Sequence, residues 1–175
     1  STQDVFNVCK AANNGGGVLL ITGNYAGDVL NFKQAQEKLN SSGIQTRYLW
    51  TTDDIASATK EEKYKRRGIA GSFAVFKVAG AAAEEGLPLD EVFRIASKAN
   101  DSVRTYGVGF SGCTLPGSDS TLFSVPKGMM ELGLGIHGEP GISEGVIPPA
   151  KELASVLVQG VLEELKGSPI KRIAV

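Results

Sequence analysis

The chain has 175 residues, 42% of them apolar, and its 18 basic and 19 acidic side chains leave a formal charge of −1. That balance gives no electrostatic basis for gripping nucleic acid or an anionic membrane, and no apolar run reaches the roughly 18 residues of a membrane-spanning helix. Two cysteines, Cys9 and Cys113, are too few for a disulfide framework, so a reducing, cytoplasmic setting is expected. The 22 glycines are spread among hydrophobic segments rather than gathered in a linker. Glycine permits positive φ and close backbone approach, so tight loops at the ends of core strands are expected.

Gly17-Val-Leu-Leu-Ile-Thr22 is a short apolar run after a glycine cluster and predicts a strand buried on both faces. Asn24-Tyr-Ala-Gly-Asp28 follows as a loop, and Val29, Leu30, Phe32, Ala35 and Leu39 then recur at helical spacing over 29–40. Gly43 closes that helix and 46–51 supplies a second strand, which makes a βαβ unit. The charge-dense stretch 60–67 reads as a solvated face, with Arg66 and Arg67 on the surface. Two helices are expected at 72–85 and 89–101, the second opened by Pro88 and Asp90 as a helix N-terminus should be.

The character changes near residue 103. Segments 104–113 and 130–137 are strand-like and glycine-rich, Pro148 and Pro149 introduce a helix over 150–166, and 170–175 resembles a final strand. The chain lacks an initiator methionine and stops inside an apolar strand whose edge would be open for pairing, so it reads as a fragment or a trimmed product.

Candidate chemistry concentrates at a few positions. His137, the single histidine, lies in Gly133-Leu-Gly-Ile-His-Gly-Glu-Pro-Gly141 at the expected C-terminal end of a strand, where α/β folds gather ligands. A neutral imidazole there serves as base, metal ligand or nucleophile, or is an ordinary loop residue. Asp28, between a strand and a helix, is either an N-cap carboxylate or a base at the strand's mouth. Two G-x-G-x-x-G matches, 107–112 and 133–138, each lead into a proline-containing loop rather than a helix, which argues against a dinucleotide site. No Walker A sequence is present, so nucleotide must come from elsewhere if it is used. Cys113 reads as a buried structural thiol, with a Cys113–His137 nucleophile and base as the alternative. Trp50 reads as core packing.

Several blocks together resemble the substrate-binding K subunit of dihydroxyacetone (glycerone) kinases: Gly17-Val-Leu-Leu-Ile with Asn24-Tyr-Ala-Gly-Asp28-Val-Leu-Asn-Phe32, Arg66-Arg-Gly-Ile-Ala-Gly71, Ala79-Gly-Ala-Ala-Ala-Glu84, Cys113-Thr-Leu-Pro-Gly117 and Glu131-Leu-Gly-Leu-Gly-Ile-His-Gly-Glu-Pro-Gly141. The resemblance implies an α/β fold. A Rossmann-like three-layer portion over 1–102 carries Asp28, and part of a second α/β domain with a mixed sheet over 103–175 carries His137, the chain being truncated at both ends. It implies that His137 attacks the ketone carbon of dihydroxyacetone, or another short-chain ketose, to form a covalent hemiaminal. Asp28 then helps deprotonate the hydroxyl that takes the phosphoryl group, and Gly23, Gly27 and Gly138 border the substrate. The donor, ATP or ADP with Mg²⁺, belongs to a separate L subunit or domain, and this chain binds no cofactor itself. A homodimer is also implied. The alternative is a non-catalytic, ketose-binding regulatory homologue.

Two departures matter. Nothing here matches the family's Gly-Gly-Gly-Ser-Gly-His-Glu-Pro motif, which supplies a second active-site histidine, so this chain alone should not transfer phosphate. Gly23 stands where the family usually has lysine, which removes a donor near the substrate hydroxyls and suits a larger, four-carbon ketose or a binding-only relative.

Overall fold

A computed structural model describes residues 1–167. The fold is mixed α/β, and the chain divides into two compact units, Ser1–Asp53 with Tyr64–Val103, and Asp54–Lys63 with Arg104–Val175.

In the first unit β1 (Val18–Gly23) and β2 (Thr46–Thr51) pair in parallel, Val18 opposite Thr46 and Gly23 opposite Thr51. Helix α2 (Ala26–Ser41) makes the crossover between them, and α1 (Thr2–Ala12) packs beside it. Strand side chains alternate between faces, and that alternation builds two cores. Val18, Leu20, Tyr48 and Trp50 gather with Cys9, Phe32 and Leu39 of α1 and α2. Leu19, Ile21 and Leu49 gather with Val75, Ala79, Val92 and Ala96 of α3 (Ser72–Glu84) and α4 (Leu89–Ser102). Helices therefore cover both faces of the sheet, which is why β1 reads as a continuous apolar run rather than as an alternating one.

Two expectations fail here. The helix expected at 29–40 begins earlier, at Ala26, because Tyr25 takes the N-cap position and Ala26-Gly-Asp28 forms the first turn. Arg66 is not on a solvated face. It is 1% exposed, and the segment that carries it is bound to the strand mouth, where Asn24 Nδ2 donates to the carbonyls of Tyr64 and Arg66 at 3.0 and 2.9 Å. Charge density along the sequence marks solvent exposure only when no neighbouring polar group needs the segment.

In the second unit β3 (Val108–Gly109), β4 (Met129–Leu132) and β5 (Ser143–Val146) form an antiparallel sheet in that order. A parallel bridge also joins Asp54 to Thr105. The strands expected at 104–113 and 130–137 are shorter than read. Their glycines carry the chain out of extended geometry, so β4 ends at Leu132 and Gly133 turns with φ +76°. Helix α5 (Ala150–Glu164) follows Pro149 and is tied to the chain entering the unit by a largely buried Arg104–Glu164 ion pair of 3.3 Å. The strand expected at 170–175 lies outside the described residues.

Among the described residues no helix is long and apolar enough to cross a membrane.

Candidate functional site

The loop from Gly133 to Gly141 is built almost entirely from backbone bonds that only glycine-rich sequence permits. Gly133 donates to the Gly107 carbonyl at 2.8 Å, Gly135 to the Glu139 carbonyl at 2.9 Å, and Gly138 to the Gly135 carbonyl at 3.1 Å. The Glu131 carboxylate accepts from the Gly141 amide, and Ile142 returns the chain to Leu132 to start β5. Gly138 has φ +88°, and a Cβ there would lie 2.7 Å from the ring of Phe123. A Cβ on Gly141 would lie 2.3 Å from the Leu132 carbonyl. The loop is thus a rigid reversal.

His137 stands on this reversal with its side chain 57% exposed. It does not terminate a strand, as its sequence position suggested. It lies beyond β4, in the turn. Both oxygens of Glu139 are turned back on it: the His137 amide donates to Oε2 at 3.0 Å, and ring Nδ1 lies 2.9 Å from Oε1. Burial alone would push the Glu139 carboxyl up. The hydrogen bonds from the His137 ring and from the amides of His137 and Glu139 outweigh it and hold the carboxyl below its ordinary range. A carboxylate only accepts, so Nδ1 is the donor in this contact, and a neutral ring so oriented has its lone pair on Nε2. The imidazole can therefore attack an electrophilic carbon or take up a proton through Nε2. Sequence reading missed Glu139. The available signal was a histidine and an acid two residues apart across a glycine, since a tight reversal brings such side chains together.

Asp28 belongs to the first unit and lies, exposed, in the first turn of α2. It is not the N-cap. Tyr25 holds that position without a side-chain cap bond, so the carboxylate is left pointing at solvent with the favourable N-terminal end of the helix beneath it. Its charge reaches Tyr48. Burial raises the Tyr48 phenol most, the Thr22 hydrogen bond of 2.6 Å opposes that, and the Asp28 charge adds to the rise.

The glycines named from the sequence play different parts. Gly23 ends β1 where a Cβ would lie 2.8 Å from the Tyr25 ring and 3.0 Å from the Gly68 carbonyl, so the ring occupies the space a longer side chain would need. Gly27 is exposed with open space around it, and its carbonyl accepts from Asn31. Gly138 shapes the turn that carries His137.

The segment closing the strand mouth is fixed by Asp53, fully buried, whose carboxylate accepts from the amides of Ile69 and Gly71 at the start of α3. Neither G-x-G-x-x-G stretch opens a helix, since residues 107–112 contain β3 and 133–138 form the turn. Cys113, expected to be buried, is exposed, because it lies in the proline- and serine-rich loop between β3 and β4 rather than in a strand. Trp50 is half-buried against the α1–α2 core, with Lys33 Nζ 4.9 Å above its ring. Among the described residues no cluster of three or more His, Cys, Asp or Glu side chains is placed to hold a metal ion.

A D-erythrulose kinase from Mycolicibacterium smegmatis is 57% identical over 175 residues, covering 100% of this chain and 30% of that protein. The solved dihydroxyacetone kinase from C. freundii in complex with AMP-PNP and Mg²⁺ superposes with a TM-score of 0.82 at 36% identity, covering 93% of this chain and 30% of that one. The dihydroxyacetone kinase operon co-activator Dha-DhaQ gives 0.83 at 30% identity, with 94% and 50% covered. The chain thus spans about a third to a half of the length of these proteins. The model of the Dak1 domain matches residues 1–175, and the chain belongs to the Dak1 domain family.

Proposed function

We propose that this chain is the ketose-holding part of a short-chain ketose kinase and that His137 captures the substrate as a covalent hemiaminal. The observation that carries the reading is the exposed imidazole whose Nδ1 meets the Glu139 carboxylate, the arrangement that makes Nε2 the nucleophilic nitrogen of a neutral ring. A polyol such as glycerol offers no such carbon, so the bond itself selects ketoses. Asp28 accepts the proton of the hydroxyl that takes the phosphoryl group, and its exposed place in the first turn of α2 supports that role. Gly23, Gly27 and Gly138 border the substrate. The donor nucleotide and Mg²⁺ belong to a separate L subunit or domain. The likeness to a solved kinase holding AMP-PNP and Mg²⁺, of which this chain spans 30%, supports that division.

The substrate class is a four-carbon ketose of the erythrulose type. The relative named D-erythrulose kinase is 57% identical, whereas the solved dihydroxyacetone kinase is 36% identical. Glycine at position 23 supplies no donor to the substrate's hydroxyls, and the Tyr25 ring lies where a longer side chain there would go. Residues 1–102 and 103–175 correspond in this reading to parts of a Rossmann-like first domain and of a second domain with a mixed sheet. The whole protein is a cytoplasmic homodimer.

Native mass spectrometry of the protein with erythrulose, dihydroxyacetone or glycerol tests the proposal. One ketose adds without loss of water, erythrulose is held better than dihydroxyacetone, and glycerol leaves no adduct. An adduct that persists in His137→Ala refutes the assignment. A second reading, a ketose-binding regulator, draws on the likeness to the operon co-activator. Addition of the nucleotide-binding partner, Mg²⁺ and nucleotide separates them, since a regulator forms the adduct and yields no ketose phosphate.

A further inference from the structure

The reading of His137 as nucleophile leaves open what makes one exposed histidine act at a chosen nitrogen. An exposed ion pair is ordinarily worth little, because solvent screens it and both side chains must be ordered. The Glu139 pair differs in three ways. Each of its two oxygens meets His137, Oε2 the amide at 3.0 Å and Oε1 the ring Nδ1 at 2.9 Å. The Glu139 backbone is held in turn, its carbonyl accepting from Gly135 at 2.9 Å. The residue between the two, Gly138, is locked at φ +88° with Phe123 lying against it. The carboxylate therefore has its place set by the backbone, and the ring aligns to the carboxylate. A half-turn of the imidazole would set carbon rather than Nδ1–H against Oε1 and forfeit the bond.

We infer that Glu139 is a positioning residue, fixing His137 as the Nδ1–H tautomer and aiming the Nε2 lone pair at the ketose carbonyl; the inference rests on the proposed role of His137. In the addition, the Nε2 lone pair forms the C–N bond and the carbonyl π pair moves to oxygen, which takes a proton from water; the hydroxide left is neutralised by bulk solvent, so the adduct takes up one proton overall. The ring becomes an imidazolium that keeps its Nδ1 proton, and the fixed carboxylate balances the new positive charge. Collapse of the adduct reverses each movement, so the same carboxylate serves capture and release.

The test uses ¹⁵N imidazole shifts in the full-length protein, with the His137 signals assigned by their loss in His137→Asn. Wild type shows the Nδ1–H tautomer. Glu139→Gln, which keeps size and shape, loses that signature and holds erythrulose more weakly by about tenfold or more, the scale on which partners of a histidine's other nitrogen act. Glu139→Asp restores part of both. Circular dichroism and the urea midpoint establish that each variant is folded, and Glu139→Ala serves if the glutamine variant is not. A wild-type ring carrying its proton on Nε2, or a glutamine variant with unchanged tautomer and adduct, overturns the inference. A tautomer that responds to Glu139→Gln while neither protein forms an adduct supports the pairing and overturns the ketose reading instead.

Discussion

Gly138→Ala tests whether the turn beneath His137 is as constrained as its geometry implies. Two costs add. An alanine at φ +88° sits in the left-handed region, at about 1–2 kcal/mol for a residue with a Cβ. The same Cβ would lie 2.7 Å from Phe123 Cγ and Cδ1 and 2.8 Å from its Cβ, and crowding of that kind costs about 1–3 kcal/mol. The expected loss is therefore about 2–5 kcal/mol. Phe123→Ala removes Cγ and Cδ1 but neither its own Cβ nor the backbone strain, so a double-mutant cycle should return a coupling within the about 1–3 kcal/mol of the steric part. Urea unfolding gives the global figure. Hydrogen exchange at the Gly135 and Gly138 amides, donors to Glu139 and Gly135, detects the loss if the turn opens locally without the rest of its unit. A Gly138→Ala protein within about 0.5 kcal/mol of wild type, with both amides equally protected, would refute the picture of a locked turn.

The buried Asp53 carboxylate should matter to the fold: Asp53→Ala leaves the Ile69 and Gly71 amides without it, at about 1–3 kcal/mol for each unsatisfied group, measured as a lower urea midpoint. Alkylation of the native protein near pH 8 should label Cys113 and spare Cys9, whose thiol is buried and pushed up by that burial; equal labelling by peptide mapping would contradict the α1 packing. Glu139 is held below its ordinary carboxylate range, so its contribution is present above the unfolded-state pKa and lost as pH falls through the folded one. Urea midpoints of wild type should accordingly fall more between pH 6 and pH 3 than those of Glu139→Gln, and parallel curves would count against the pairing. Asp28→Asn should keep the ketose adduct but sharply lower phosphoryl transfer in the full-length protein, whereas unchanged turnover with lost thermal stability would return Asp28 to a helix-end role.

The first unit was the more legible of the two because its signals are periodic. Leu19 and Ile21 face one core while Val18 and Leu20 face the other, and a run apolar on every side is what a doubly covered strand requires. The helix starting at Ala26 was harder to read. Ala26-Gly-Asp28 looks like a loop, and no Ser, Thr or Asn marks the cap that Tyr25 occupies. Arg66 was misread for a related reason. Its neighbours are charged in sequence, but the carbonyls around it are taken by Asn24, 42 residues away from the Arg66 carbonyl it binds, and no local pattern encodes that distance.

The second unit resists periodicity because glycine, not hydrophobicity, determines its path. Strand propensity in 130–137 runs past the true end of β4, since nothing in Leu-Gly-Leu-Gly-Ile announces that Gly133 will take φ +76°. Yet the crowding that hides the turn from a strand pattern is what brings Glu139 against His137. Gly138 admits Phe123, Gly141 admits the Leu132 carbonyl, and between these contacts the chain reverses so sharply that Glu139 faces His137. A side chain added at Gly138 or Gly141 would open that reversal. If His137 captures a ketose as proposed, these glycines are part of its site, and substitutions there should lower ketose capture even when His137 and Glu139 are both present.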